Sequence, residues 1–105
     1  MKQALATAQA PAAIGPYSQG IAAGQTVYVS GQLPIDPAPG AIPEGIAAQT
    51  AQSLKNIQAI LAEQGMTLAD VVKTTVFLAD MNDFAEMNKV YGKYFAQPFP
   101  ARSAV

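Results

Sequence analysis

A chain of 105 residues holds one small domain with a single core. A net charge of −1, a pI of about 5.0 and the lack of any lysine stripe argue against binding to a nucleic-acid backbone. With no cysteine and no histidine, disulfides, thiolate or imidazole catalysis and most zinc, copper or iron sites are excluded, leaving arginine, carboxylates, tyrosine, lysine, backbone groups and water.

Hydrophobic residues make up 50% of the chain, but twenty-one of them are alanines, and charged residues are only 12%. That charged share is about half the usual one, so part of the surface is expected to be buried against other copies of the chain. No apolar run approaches the ~18 residues of a membrane span. The N-terminus, Met1-Lys2-Gln3-Ala4-Leu5, is too polar for a signal-peptide core. A cytoplasmic homo-oligomer with no membrane partner is the expectation.

In chain order, a weak strand is expected over residues 3–8, followed by a loop around Pro11. Ile14 to Ile21 reads as a strand entered through the Gly15-Pro16 turn, and Ala23-Gly24-Gln25-Thr26 as a hairpin connection. Val27 to Gln32 is a clearer strand, with Val27 and Val29 on one face and Tyr28 and Ser30 on the other; Gly31 inside it marks a bulge or a close backbone approach. Four prolines and two glycines make 33–45 a loop. From Ile46 to Gln64 the period lengthens, with Ala47, Ala51, Leu54, Ile57 and Leu61 on one stripe, and Gly65 ends that helix.

Thr67-Leu68-Ala69-Asp70 has the spacing of a capped turn leading into a strand over 71–78, where Val71, Lys73, Thr75 and Phe77 share a face. A second helix is expected from Asn82-Asp83 to about Phe95, capped by Asp83 with Glu86 and carrying the stripe Phe84, Met87, Tyr91, Tyr94. The order β-β-α-β-α-β, with the weak first strand before it, implies that both helices pack on one face of a sheet. Its other face then needs cover from another copy.

The last segment, Phe99-Pro100-Ala101-Arg102-Ser103-Ala104-Val105, carries the only arginine. Pro98 and Pro100 fix φ and hold their predecessors away from helical angles, so the chain should run extended into Arg102. Arg102 then shares a face with the small Ala104, which leaves room for a ligand. A guanidinium offers five donors in a planar fork that fits a carboxylate, whereas the five lysines are mobile point charges. Tyr17 follows a rigid turn and could present its hydroxyl to a cleft, and Gly31 could offer its backbone; packing and a bulge are the simpler readings. Asn88 falls on the more polar side of its helix. Lys73 shows no sign of the desolvation that Schiff-base chemistry needs. Asp80 and Asp83 are better read as turn and cap than as a metal loop.

Four segments together resemble the reactive intermediate deaminase family (RidA, also called YjgF or L-PSP): Ile14-Gly15-Pro16-Tyr17-Ser18-Gln19-Gly20, Val29-Ser30-Gly31-Gln32-Leu33-Pro34, Lys73 to Phe84, and Phe99-Pro100-Ala101-Arg102-Ser103. The resemblance implies a chorismate-mutase-like α+β sheet with two helices on one face, assembled as a homotrimer with clefts between subunits. It implies hydrolysis of 2-imino acids such as 2-iminobutanoate and 2-iminopropanoate to 2-keto acids and ammonia, with no cofactor and no metal. Carried over residue by residue, Arg102 would bind the substrate carboxylate, while Tyr17, Ser30, Gly31 and Asn88 would line the cleft. The backbone carbonyl of Ala104, where many relatives have cysteine, would hold the water. It further implies a single domain over 1–105 that lacks the family's C-terminal strand, which carries a glutamate that helps orient or activate that water. Two other readings are a non-catalytic trimeric module for small carboxylates and, weighed against by the acidic pI and missing histidine, a ribonuclease or translation inhibitor.

Overall fold

Alternating side chains in the first third of the chain build an antiparallel sheet of β1 (Lys2–Leu5), β2 (Gly20–Ala23) and β3 (Thr26–Val29), in a computed structural model that describes residues 1–105. Gly24 and Gln25 turn the β2–β3 hairpin, and Gly24 takes the left-handed φ of 62° that a side chain would resist. The register pairs Ile21 with Tyr28 and Ala22 with Val27. Val27 and Val29 therefore meet the core while Tyr28 faces away, as the alternation requires.

The strand expected over 14–21 starts only at Gly20. Its N-terminal part is held instead by the buried Gln19 side chain. Gln19 Oε1 accepts from Thr7 N at 2.7 Å, and Nε2 donates to the carbonyls of Thr7, Ala10 and Pro11 at 3.1, 3.2 and 2.7 Å. One amide thus takes up backbone groups that would otherwise need a ladder. The third strand stops at Val29, so Gly31 lies beyond it and forms no bulge, and a Cβ there would meet nothing within 4 Å.

The helical stripe becomes α1 (Ile46–Ala62). It ends in a Schellman arrangement: Met66 N bonds to Leu61 O and Gly65 N to Ala62 O, both at 3.0 Å, with Gly65 at φ 69°. Asn56, wholly buried in this helix, donates to the carbonyls of Leu33 at 3.1 Å and Ile35 at 3.0 Å, and accepts from Gln52 at 2.9 Å. That ties the proline-rich loop to α1. Thr67 and Asp70 then form the expected capping box.

β4 (Lys73–Val76) is shorter than the expected 71–78. Val71 still belongs to the turn's cap and packs on the core, so the mixed face reduces to Lys73, Thr75 and Phe77, all exposed. Asp80, not Asp83, does the capping before α2 (Phe84–Tyr94). Its carboxylate accepts from Asn82 N at 2.9 Å to start the short turn Met81–Asp83, and Asp83 makes no side-chain cap bond. β5 (Ala101–Ala104) then pairs parallel with β4.

The expected single sheet is divided in two, β1-β2-β3 antiparallel and β4-β5 parallel. Crossing through α1 delivers β4 to the same core, but no ladder joins it to β3. Both sheets rest on one helix layer: Val27, Val29, Val76 and Leu78 pack against Leu54, Leu61, Leu68, Met87, Tyr91 and Phe95. The α+β class with two helices on one side stands. No helix is long and apolar enough to cross a membrane.

Candidate functional site

β5 enters from the Pro98 and Pro100 segment, and its alternation turns Arg102 and Ala104 inward while Ala101 and Ser103 are exposed. The Arg102 guanidinium carbon lies 4.7 Å from the centroid of the Tyr91 ring and 5.4 Å from that of Phe84. Its Nη1 donates to Asn88 Oδ1 at 2.6 Å. Phe84, Asn88 and Tyr91 are spaced i, i+4, i+7, so they form one face of α2 turned toward β5. Tyr91 in turn shares a 2.7 Å hydrogen bond with Thr74 Oγ1, and its ring sits 4.5 Å from that of Phe95.

Asn88, Tyr91, Gly92, Phe99, Pro100 and Arg102 line a cleft of about 410 Å³. The guanidinium is the one charged group in that lining. One donor is engaged by neutral Asn88, and the others remain for a ligand with two oxygens in a plane.

Tyr17, Ser30 and Gly31 do not line this cleft. Tyr17, half exposed, borders a second cleft of about 450 Å³ with Ala4, Ala8, Ala12, Ser18 and Gln19. The Ser30 hydroxyl donates to Ser18 O at 2.6 Å, which keeps it beside the Tyr17 loop, and Gly31 is exposed. Ala104 lies two residues beyond Arg102 on β5. Ala101 N and Val105 N bond to Val72 O and Val76 O of the neighbouring segment. By the alternation of a parallel ladder, the carbonyls of Arg102 and Ala104 point off the opposite, unpaired edge. Within one chain, Arg102, Asn88 and Ala104 thus form one group, and Tyr17, Ser30 and Gly31 another.

Tyr91 also lines the cleft, although its place in the apolar stripe of α2 accounts for it fully as a core residue. The signal for it in the sequence is the i, i+3 spacing from Asn88. Lys73 is exposed and donates to Thr74 O and Ser103 Oγ at 3.1 and 3.2 Å, with nothing to desolvate it.

Fold and cleft together define a small α+β protein in which a guanidinium set over aromatic rings is the sole charge of a largely uncharged cleft. The family described as Endoribonuclease L-PSP matches residues 7–105. A RutC family protein of Pyrococcus horikoshii is 55% identical over 106 residues, covering 100% of this chain and 84% of that protein. A 2-iminobutanoate/2-iminopropanoate deaminase of Salmonella typhimurium is 50% identical over 108 residues, with 100% of this chain and 84% of that protein covered. The crystal structure of E. coli TdcF with bound serine is 43% identical with a TM-score of 0.94, covering 98% of this chain and 84% of that one. The chain belongs to the endoribonuclease L-PSP family, also known as RidA or YjgF.

Proposed function

We propose that this chain hydrolyses short 2-imino acids, such as 2-iminobutanoate and 2-iminopropanoate, to 2-keto acids and ammonia. The observation that carries the reading is the Arg102 guanidinium, braced by Asn88 and Tyr91 and facing a cleft without a carboxylate to neutralise it. The Salmonella relative's name and the serine bound to TdcF support it, since both concern small acids with nitrogen on the second carbon.

The residues have simple work in this reaction. Arg102 grips the substrate carboxylate through its free donors and fixes the adjacent C=N bond in place. Water held at the Ala104 carbonyl adds to the second carbon; a proton passes from the new hydroxyl to nitrogen, ammonia leaves, and the keto acid remains. Oxidation states are unchanged, so no redox partner is required.

Tyr17, Ser30 and Gly31 complete the cleft from a neighbouring copy, in a homotrimer with clefts at its seams. Two observations favour this: those residues line no part of the Arg102 cleft within one chain, and the faces of the two sheets away from the helices leave Tyr28 66%, Phe77 80% and Val105 60% exposed. Patches of that kind are normally covered. Light scattering should return about three times the 10.9 kDa chain mass; a monomer would remove the shared cleft.

The test of the reaction is release of ammonia from 2-iminobutanoate generated in situ, above the spontaneous rate, by the native protein and by Arg102→Ala. Loss in the variant with assembly intact supports the reading, whereas equal turnover removes Arg102 from the mechanism. A second reading, a non-catalytic sensor of small carboxylates, is favoured by a cleft lining with no carboxylate or imidazole to move protons. It would show thermal stabilisation by 2-oxobutanoate through Arg102 and no ammonia release.

A further inference from the structure

An arginine side chain is long and free to rotate, and the single hydrogen bond it donates to exposed Asn88 does not fix the plane of its guanidinium. The ring beneath it does more. Tyr91 is only 6% exposed, and its orientation is locked at both ends, by Phe95 beside the ring and by Thr74 at the hydroxyl. Thr74 is also the residue that pairs with Arg102 in the β4–β5 register. The contacts close a circuit: the backbone of Arg102 is in register with Thr74, Thr74 holds the Tyr91 hydroxyl, and the Tyr91 ring carries the Arg102 guanidinium.

A core in need only of volume would be served by phenylalanine and valine at these two positions, with no polar atoms to bury. Here two hydroxyls are placed under one strand position and spent on each other. β-Branched Thr74 has few rotamers to choose from, so the bond it makes is well aimed. With the guanidinium carbon over the ring and Nη1 bonded to Asn88, Nε and Nη2 are left for an anion.

We propose that Tyr91 and Thr74 are positioning residues that hold the Arg102 guanidinium in the plane required to receive a carboxylate. The inference rests on the reading that Arg102 is the carboxylate anchor. Ordering the arginine beforehand removes a cost that binding would otherwise bear.

The chain contains one arginine, so its Nε–H group gives a single, self-assigned signal in ¹⁵N NMR. The experiment compares native protein with Thr74→Val, Tyr91→Phe and the double variant. The readouts are the order parameter of that signal without ligand, Kd for 2-oxobutanoate, and KM and kcat for 2-iminobutanoate. The expected result is a lower order parameter in each variant and Kd and KM raised about fivefold, the size of a lost buried hydrogen bond. Changes in kcat should stay below about twofold, since the lost contact acts before chemistry. The double variant should be no worse than either single one, because both remove the same bond. A lower melting temperature with unchanged order parameter and unchanged Kd would make the pair merely structural and overturn the proposal. Native protein that binds 2-oxobutanoate but releases no ammonia, with order lost in the variants, would sink the deaminase reading and leave the positioning role standing.

Discussion

Asn88 meets the Arg102 guanidinium with a neutral amide oxygen at 2.6 Å. An aspartate there would make the same contact and also cancel the charge, so the choice of amide leaves the arginine oriented yet electrostatically unsatisfied. Asn88→Asp is accordingly expected to harm binding more than Asn88→Ala does. The internal ion pair competes with the substrate carboxylate and should raise KM by more than about tenfold, against a few-fold for alanine. Steady-state kinetics of both variants, with 2-oxobutanoate affinity as a check, would test this; equal effects would mean that the oxygen's charge is irrelevant.

Lysine at position 102 retains the charge but neither the fork nor the planar group that lies over Tyr91. Arg102→Lys should therefore weaken 2-oxobutanoate binding by about tenfold or more while leaving the melting temperature nearly unchanged. Calorimetric titration beside a thermal melt separates the two quantities. Native-like affinity in the lysine variant would show that a point charge suffices.

Both helices were legible in the sequence because their apolar residues recur every three or four positions, and Gly65 and the Thr67–Asp70 pair carried their own end signals. Strand lengths were harder. The 14–21 segment has the alternation of a strand, yet ahead of Gly20 it is fastened by the Gln19 side chain to the backbone of Thr7, Ala10 and Pro11, and Thr7 is twelve residues away in sequence. Nothing local in Gln19 announces that. Division of the strands into β1-β2-β3 and β4-β5 is likewise a matter of tertiary placement, which periodicity does not report. At the site, the isolation of Arg102 and the prolines before it marked the strand correctly, and the structure brings it to Asn88. Tyr91 escaped because one side chain serves both core and cleft, and the core explanation was sufficient.

Asn56 offers a measure of how much one buried amide contributes. Its Nδ2 group serves Leu33 O and Ile35 O, and no water reaches it. Asn56→Leu keeps much of the volume but strands both carbonyls and the Gln52 amide. A loss of about 2–4 kcal/mol is expected in urea unfolding at fixed protein concentration. The 33–45 loop should at the same time become faster to cleave in limited proteolysis, because its anchor on α1 is gone. Undiminished stability would place the loop's anchorage elsewhere.

Two glycines should respond to alanine with opposite sign. Gly92 is interior to α2 with an ordinary helical backbone, and a Cβ there would meet nothing within 4 Å. Gly92→Ala is thus expected to stabilise the fold by about 0.5–1 kcal/mol, through the helix propensity of alanine. It also sets a methyl group into the lining of the Arg102 cleft, so any narrowing should appear as a larger KM for 2-iminobutanoate than for the shorter 2-iminopropanoate. Gly20 is the reverse case. A Cβ at that position would stand 2.9 Å from Ile60 Cγ2 and 3.3 Å from the backbone oxygen of Tyr28, between β2 and α1. Ile60 is wholly buried and the Tyr28 carbonyl belongs to β3, so neither has free room to withdraw. Gly20→Ala should destabilise by about 1–3 kcal/mol. Parallel urea titrations of the two variants would settle the matter, and a shared sign would mean that sheet and helices are not packed as closely at Gly20 as the geometry requires.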